Sequence, residues 1–297
     1  MADSSPPSGA VAFGLGLLAP GLGHWYAGRM RAATAFVIAF GVALPALVFT
    51  CAALGIYAGI WGLVAGVWLL HLVSALHAAW AVRAAQDHAA VQGHSTLGYL
   101  GFAAVSLGLG MLGRYAIETY AFESFSTPSE SMLPTLQPGD DFTVAKLRAR
   151  DREAVRGDLV VFAPPNDPSV RFIKRVLGLP GEMLTFPDQQ PPTVDGVPMQ
   201  WTRCESQSPR HQCWLETTPD GAQYQIYVMG STEPLADPVA PVPIQVPPGH
   251  LFLVGDNRQQ SVDSRTVFGP VPVANIEGRA VNRHLPWSRR SSLIPPE

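Results

Sequence analysis

Of the 20 lysine and arginine residues in this 297-residue chain only two, Lys146 and Lys174, are lysines. A guanidinium keeps its proton in proteins whereas an ammonium can lose one, so these two positions are where a basic side chain could move protons. In Val170-Arg171-Phe172-Ile173-Lys174-Arg175-Val176 the strand period of two puts Lys174 on one face with Val170, Phe172 and Val176, and turns Arg171 and Arg175 the other way. Burial on such an apolar face disfavours the ammonium and can lower its pKa by up to about 3–5 units from roughly 10.4; a neighbouring arginine pushes the same way. A lysine of this kind can act as a general base. The pattern leaves two alternatives open: a lysine snorkelling from a half-buried strand, and Lys146, which shares a face with Phe142 and Val144.

A base needs a nucleophile. The tract Thr127-Pro128-Ser129-Glu130-Ser131-Met132-Leu133-Pro134-Thr135-Leu136 offers two serines between prolines that stiffen the chain by biasing the preceding residue towards extended geometry. Ser/Pro strings are commonly plain linkers, but this one runs directly into a strand-like segment. A third constellation, Gly255-Asp256-Asn257-Arg258-Gln259-Gln260-Ser261-Val262-Asp263-Ser264-Arg265, is a dense polar loop. By itself it reads as a hairpin turn closed by an Asp263/Arg265 ion pair, although loops on rigid scaffolds commonly carry function. A serine–histidine–aspartate triad would have to use His211, His250 or His284, none of which lies in a recognisable motif. His71 and His77 are six apart on an apolar segment, not the four of a helical metal pair, and no metal-ligand motif occurs. Gly14 and Gly16 have no preceding strand, which excludes a dinucleotide fingerprint.

The elements that must position these groups fall into two halves. From Ser8 to Glu118 the chain is apolar, its charges confined to Arg29, Arg31, Arg83, Asp87, Arg114 and Glu118. After Tyr120 the composition is that of a soluble domain. Crossing a bilayer takes roughly 20 apolar residues, and Ala33–Leu54, Ile56–Trp80 and Leu97–Ile117 qualify. Ala10–Tyr26, broken by Pro20, Gly21 and Gly23, reads equally as a fourth span, a re-entrant hairpin or an interfacial helix. Arginines enrich cytoplasmic loops, so Arg29, Arg31 and Arg83 lie inside and the last span delivers residues 121–297 to the exported side. Ser131 follows that span by about a dozen residues of at most 3.3–3.6 Å each, which keeps it close to the bilayer. The exported half alternates in short runs broken by Gly and Pro, namely Phe142–Leu147, Leu159–Phe162, Val170–Leu177, Tyr224–Met229 and His250–Val254, as antiparallel β structure does. Residues 187–248 read as an insertion. It holds Cys204 and Cys213, a plausible disulfide in an oxidising compartment, with two free thiols as the alternative; Cys51 reads as a packing residue. The net charge of −3 and scattered arginines give no nucleic-acid surface.

The segments Pro128–Leu136, Arg156-Gly157-Asp158-Leu159-Val160-Val161-Phe162, Ile173-Lys174-Arg175-Val176-Leu177-Gly178-Leu179-Pro180-Gly181 and Gly255–Arg265, in this order, resemble the motif set of the type I signal peptidases. The resemblance covers roughly Phe122–Glu277. It implies a strongly bent antiparallel β-sheet peptidase domain with Ser131 as nucleophile and Lys174, in preference to Lys146, as general base. It further implies Ser129 as an oxyanion donor beside the Ser131 N–H, Ser261 as the residue that hydrogen-bonds and orients the lysine, and Asp263 with Arg265 as a supporting pair. Phe125, Met132, Leu136, Phe172 and Ile173 match positions lining small apolar pockets for alanine-like side chains one and three residues before the cleavage point. The implied enzyme needs no cofactor, acts on preproteins with Ala-x-Ala signal peptides, and sits in the bacterial cytoplasmic membrane near the secretion translocon. An inactive peptidase-like scaffold and a regulatory serine–lysine protease are the rival readings. Gln259-Gln260 departs from the usual Asp-Asn, and the apolar half is longer than the family's one or two spans. Pro20-Gly21-Leu22-Gly23-His24-Trp25-Tyr26-Ala27-Gly28 resembles a motif of small membrane proteins and carries no expected catalytic part.

Overall fold

The computed structural model describes residues 7–54, 60–84, 96–146, 154–165, 167–188, 190–206, 208–229, 242–289 and 291–293. It divides into two compact units, Met1–Ala121 and Phe122–Glu297. The first unit is helical: α1 (Gly9–Leu18), α2 (Leu22–Tyr26), α3 (Met30–Ile38), α4 (Leu44–Leu54), α5 (Ile60–Ala84) and α6 (Thr96–Ala116). A π-helical turn at Ala39–Ala43 joins α3 to α4, and another at Ile117–Ala121 extends α6. Met30–Thr50, Ala65–Ala84 and Leu97–Ala121 are long and apolar enough to cross a bilayer. Residues 56–59 of the middle span expected over Ile56–Trp80 lie outside the described residues; its helix is described from Ile60 and runs on to Ala84 with Arg83 in its last turn. A cation is favoured there by the exposed carbonyl end of the helix.

The segment Ala10–Tyr26 is helix, break, helix. Its ten-residue α1 rises about 15 Å, roughly half a hydrocarbon core. Gly21, with φ +90°, makes the break possible, and its N–H donates to Ser74 Oγ at 2.9 Å on α5. Small residues let the pieces approach closely: Ala12, Ala78 and Val82 form a buried cluster. A Cβ on Gly23 would lie 2.1 Å from the Ala12 carbonyl oxygen and 2.8 Å from Ala78 Cβ. His24 Nε2 and His77 Nδ1 are 2.6 Å apart, and His71 Nδ1 donates to Val67 O at 2.9 Å. The glycine-rich motif thus packs the unit. No cluster of three or more metal-ligand side chains occurs among the described residues.

The second unit is β. Its strands are β1 (Phe122–Ser126), β2 (Asp141–Ala145), β3 (Leu159–Phe162), β4 (Phe172–Gly178), β5 (Met183–Thr185), β6 (Thr193–Val194), β7 (Val197–Pro198) and β8 (Gln200–Cys204). They continue with β9 (His211–Thr217), β10 (Gln223–Met229), β11 (Ile244–Gln245), β12 (His250–Val254), β13 (Val271–Pro272), β14 (Ile276–Leu285) and β15 (Ser291–Ser292). The main sheet runs β1-β2-β14-β3-β4-β12-β13, with β15 on β14, and every pairing is antiparallel. Both of its faces are covered. Leu159 and Val161 join Met132, Leu136, Phe142 and Val144 on one side, while Val160 and Phe162 join Val176, Leu251, Leu253 and Val271 on the other. Strand β14 shifts register three times against β2 and β3, and such bulges bend a strand and increase its twist; the sheet is curled. Two smaller sheets, β11-β5-β6-β7 and β10-β9-β8, come from the stretch expected as an insertion, residues 187–248, except for β5, which precedes it. Cys204 and Cys213 are register partners of β8 and β9 and are disulfide-bonded, with Cα atoms 5.1 Å apart.

The packing in the helical unit is testable. Gly23→Ala puts a methyl against backbone that cannot move aside, whereas Gly14 has nothing within 4 Å of an added Cβ. We expect Gly23→Ala to cost about 1–3 kcal/mol by overpacking and to lower the thermal midpoint in detergent. Gly14→Ala should leave it unchanged or higher.

Candidate active site

Ser131 lies in the turn between β1 and β2, and both ends of that turn are tied. Thr127 N donates to Asp140 O at 2.9 Å and Gly139 N to Thr127 O at 2.8 Å, while Leu133 N reaches Glu130 O at 3.1 Å. The polar loop after β12 grips the serine from one side: Asn257 N donates to Ser131 O at 3.1 Å and Asn257 Nδ2 to Glu130 O at 3.1 Å. From another side Arg283 Nη1 donates to Thr135 O at 2.6 Å, and Arg289 pairs with the buried Asp140 at 2.8 Å.

Lys174 rises from the middle of β4, opposite Val160 in the ladder, and is 2% exposed. Its Nζ is 2.8 Å from Ser131 Oγ and 2.9 Å from Ile173 O. Burial pushes its pKa down to about 8; Asp263 and Asp256 oppose that shift and Arg265 adds to it. Lys146 instead pairs with Glu123 at 2.6 Å and is partly exposed, so the geometry separates two lysines that the alternation pattern left equivalent. Ser129 Oγ is 3.2 Å from Ser131 Oγ. Asp263, fully buried, accepts from Arg265 Nη2 at 2.7 Å and from Gly255 N at 2.9 Å. Burial works against charge on this carboxyl, but Arg265 and the Gly255 N–H outweigh it and hold the pKa below the usual carboxylate value.

One expectation is corrected. Ser261 is buried, and a Cβ on Gly255 would lie 2.1 Å from its hydroxyl and 2.7 Å from Ser131 O. The two groups bonded to Lys174 Nζ are Ser131 Oγ and Ile173 O, and the buried Ser261 hydroxyl has no hydrogen-bond partner among the described residues, so the expected Ser261–Lys174 bond is not formed here. Phe125 and Ile173 pack with the buried Met132 and Leu136. Phe172 packs on the opposite face with Phe162 and Phe268, because adjacent strand residues point to opposite sides. Its ring centroid is 5.7 Å from Lys174 Nζ, so it flanks the amine.

Sequence reasoning gave no role to the ionic layer behind the site. Arg175 does turn away from Lys174's face, but into a buried layer: its Nε and Nη2 reach Asp256 at 2.7 and 2.5 Å. Thr135 Oγ1 donates to the same carboxylate at 2.5 Å. Both partners of this ion pair are at most 4% exposed. An arginine directly after a lysine on a buried strand was the available signal.

A curled antiparallel sheet that holds a serine hydroxyl against a desolvated amine can act as a serine-type hydrolase, the hydroxyl attacking and the amine taking its proton. Residues 100–285 match the family described as signal peptidase, peptidase S26, and the chain belongs to that family, the membrane-anchored serine-type endopeptidases. It is 33% identical over 198 residues to signal peptidase I of Leptolyngbya laminosa, a match covering 64% of this chain and 82% of that protein. With signal peptidase I of Pseudomonas fluorescens it shares 31% over 199 residues, covering 58% and 67%. The crystal structure of a signal peptidase I from Enterococcus faecalis matches at 25% identity and a TM-score of 0.27, covering 43% of this chain and 97% of that one.

The amine's environment has a measurable stability cost. The folded pKa of Lys174 lies near 8 against 10.5 for the free side chain, so the unfolded chain binds more protons between these values and stability rises with pH across that window. Below about pH 8 the whole penalty, of the order of 3 kcal/mol, is present. Lys174→Met removes it along with two hydrogen bonds worth about 1 kcal/mol each. We expect the variant to be more stable than wild type by about 1–2 kcal/mol at pH 7, with the gain falling to zero at about pH 9 and turning into a loss of about 1–2 kcal/mol by pH 10.5, as read by denaturant titration in detergent.

Proposed function

We propose that this protein removes N-terminal signal peptides from exported preproteins through a Ser131/Lys174 dyad and an acyl-enzyme. The observation that carries this reading is the 2.8 Å approach of Lys174 Nζ to Ser131 Oγ, made by an amine whose burial lowers its proton affinity. The neutral amine takes the hydroxyl proton while Oγ attacks the carbonyl carbon of the scissile bond. The Ser131 N–H and the Ser129 hydroxyl face the oxyanion, where one such donor is typically worth about 2.7–4 kcal/mol. The ammonium then protonates the departing amine of the mature protein. Water, deprotonated by Lys174, attacks the ester carbonyl and frees the signal peptide.

The relatives named signal peptidase I support the substrate class. The apolar cluster of Met132 and Leu136 with Phe125 and Ile173 suits the small side chains of an Ala-x-Ala cleavage sequence. The arginines at 29, 31 and 83 favour cytoplasmic loops on their side, which puts residues 122–297 on the periplasmic face of the bacterial cytoplasmic membrane. There the partners are the bilayer, the translocon and the emerging preprotein.

The test is turnover of a preprotein ending in Ala-x-Ala by the full chain in detergent. Ser131→Ala and Lys174→Arg are both expected to be inert, the second because a guanidinium stays charged. The wild-type rate should fall about tenfold per unit as pH drops below the amine's pKa of about 8. Robust turnover by either variant would overturn the dyad.

A further inference from the structure

We propose that Glu216, on the middle strand of the β8–β10 sheet, is a positioning residue for the Ser131/Lys174 reaction, acting through Arg258 and Tyr224. The inference rests on the dyad reading above and adds a residue that lies outside every motif that pointed to it.

Glu216 is fully buried and every one of its bonds leads towards the site or holds it in place. Arg258 Nη1 donates to Oε2 at 2.8 Å and Arg258 Nη2 donates to Oε1. Trp201 Nε1 completes Oε2 at 2.7 Å and Tyr224 Oη completes Oε1 at 2.8 Å. Trp201 and Tyr224 are the register partners of Glu216 on the two neighbouring strands, so the carboxylate is aimed by its own sheet at the loop between β12 and β13. Burial opposes its charge, but Arg258 outweighs burial and keeps the carboxyl below its usual range; the pair is ionic.

Two routes lead from this carboxylate to the dyad. Arg258 follows Asn257, whose N–H holds Ser131 O, and the Arg258 carbonyl accepts Arg265 Nη2 at 2.5 Å, the arginine that pairs with Asp263. Tyr224 takes the other route: the Arg175 guanidinium lies 4.1 Å from its ring centroid, and Arg175 adjoins Lys174 and grips Asp256. Strand β10 also clasps the loop backbone, with Tyr227 N donating to Asp256 O and Arg258 N to Tyr227 O, both at 2.9 Å.

A stability role alone does not account for this arrangement. Replacing a buried ion pair by apolar residues of similar volume is often neutral or stabilising, whereas removing one partner leaves a costly uncompensated charge. The decisive variant is therefore the double one, Glu216→Met with Arg258→Met, compared with wild type and with Ser131→Ala on the same preprotein. The expected result is a folded protein, with a thermal midpoint within a few degrees of wild type, whose kcat is at least tenfold lower and whose KM stays within twofold. A merely structural pair would leave kcat as it was once the fold is kept, and that outcome overturns the proposal. Should the double variant fail to fold, Tyr224→Phe decides: it deletes one hydroxyl, and we expect at least a threefold loss in kcat with KM unmoved, an unchanged kcat overturning the proposal. Cleavage by wild type and none by Ser131→Ala or Lys174→Arg tests the dyad independently. An inactive wild type would sink the dyad reading and this inference together.

Discussion

Everything in the catalytic unit depends on keeping one amine poorly solvated beside one hydroxyl. Burial supplies that condition for Lys174, but burial also surrounds it with carboxylates, and Asp263 and Asp256 both pull its proton affinity back up. Each of these acids is neutralised by its own arginine, Arg265 at 2.7 Å and Arg175 at 2.5 Å. The guanidinium suits this task because it stays charged and pairs in a planar, bidentate manner. The excess of arginine over lysine then has a local rationale: arginines fix charge around the site, and the single lysine there is the group left free to lose it.

Fixing the hydroxyl is a separate problem, because Ser131 lies in a turn and not on a strand. The structure solves it by convergence. The Asn257 loop holds the serine's own carbonyl, and Arg283 and Arg289, from the far end of the sequence, hold Thr135 O and Asp140. The curl of β14 brings those C-terminal arginines to the turn while the same strand pairs with both β2 and β3. Bulges that interrupt the ladder are thus what allow one strand to serve the core sheet and the nucleophile.

Much of this was legible residue by residue. Leu159–Phe162 and His250–Val254 are short runs bounded by Gly and Pro and form strands with those ends, and the period of two placed Lys174 with Val176, both buried. Strand β14 escaped notice for a physical reason. Its bulges break the alternation, and Arg279 and Arg283 are spent on Asp158 and Asp140, so the segment reads as polar loop. The separation of Phe172 from Ile173 was readable from the same period that placed Lys174. The place of Ser261 was not, since whether a buried hydroxyl comes within bonding reach of a neighbouring amine depends on geometry a sequence does not carry. Glu216 gave no signal either, as an acid on a short alternating strand usually faces water.

The departure at Gln259-Gln260 joins these two levels. Gln260 Oε1 accepts from Asn257 Nδ2 at 3.0 Å, which orients the same amide that holds Glu130 O. Gln259 Oε1 accepts from Met229 N at 2.9 Å, at the end of β10. An uncharged acceptor is adequate at both positions, because each partner is a neutral amide; a carboxylate would add charge to a region already balanced by paired acids and arginines. The glutamines are best understood together with the β8–β10 sheet: where that sheet contributes backbone groups and a buried carboxylate to the loop, the loop has less need of an acid beyond Asp256 and Asp263.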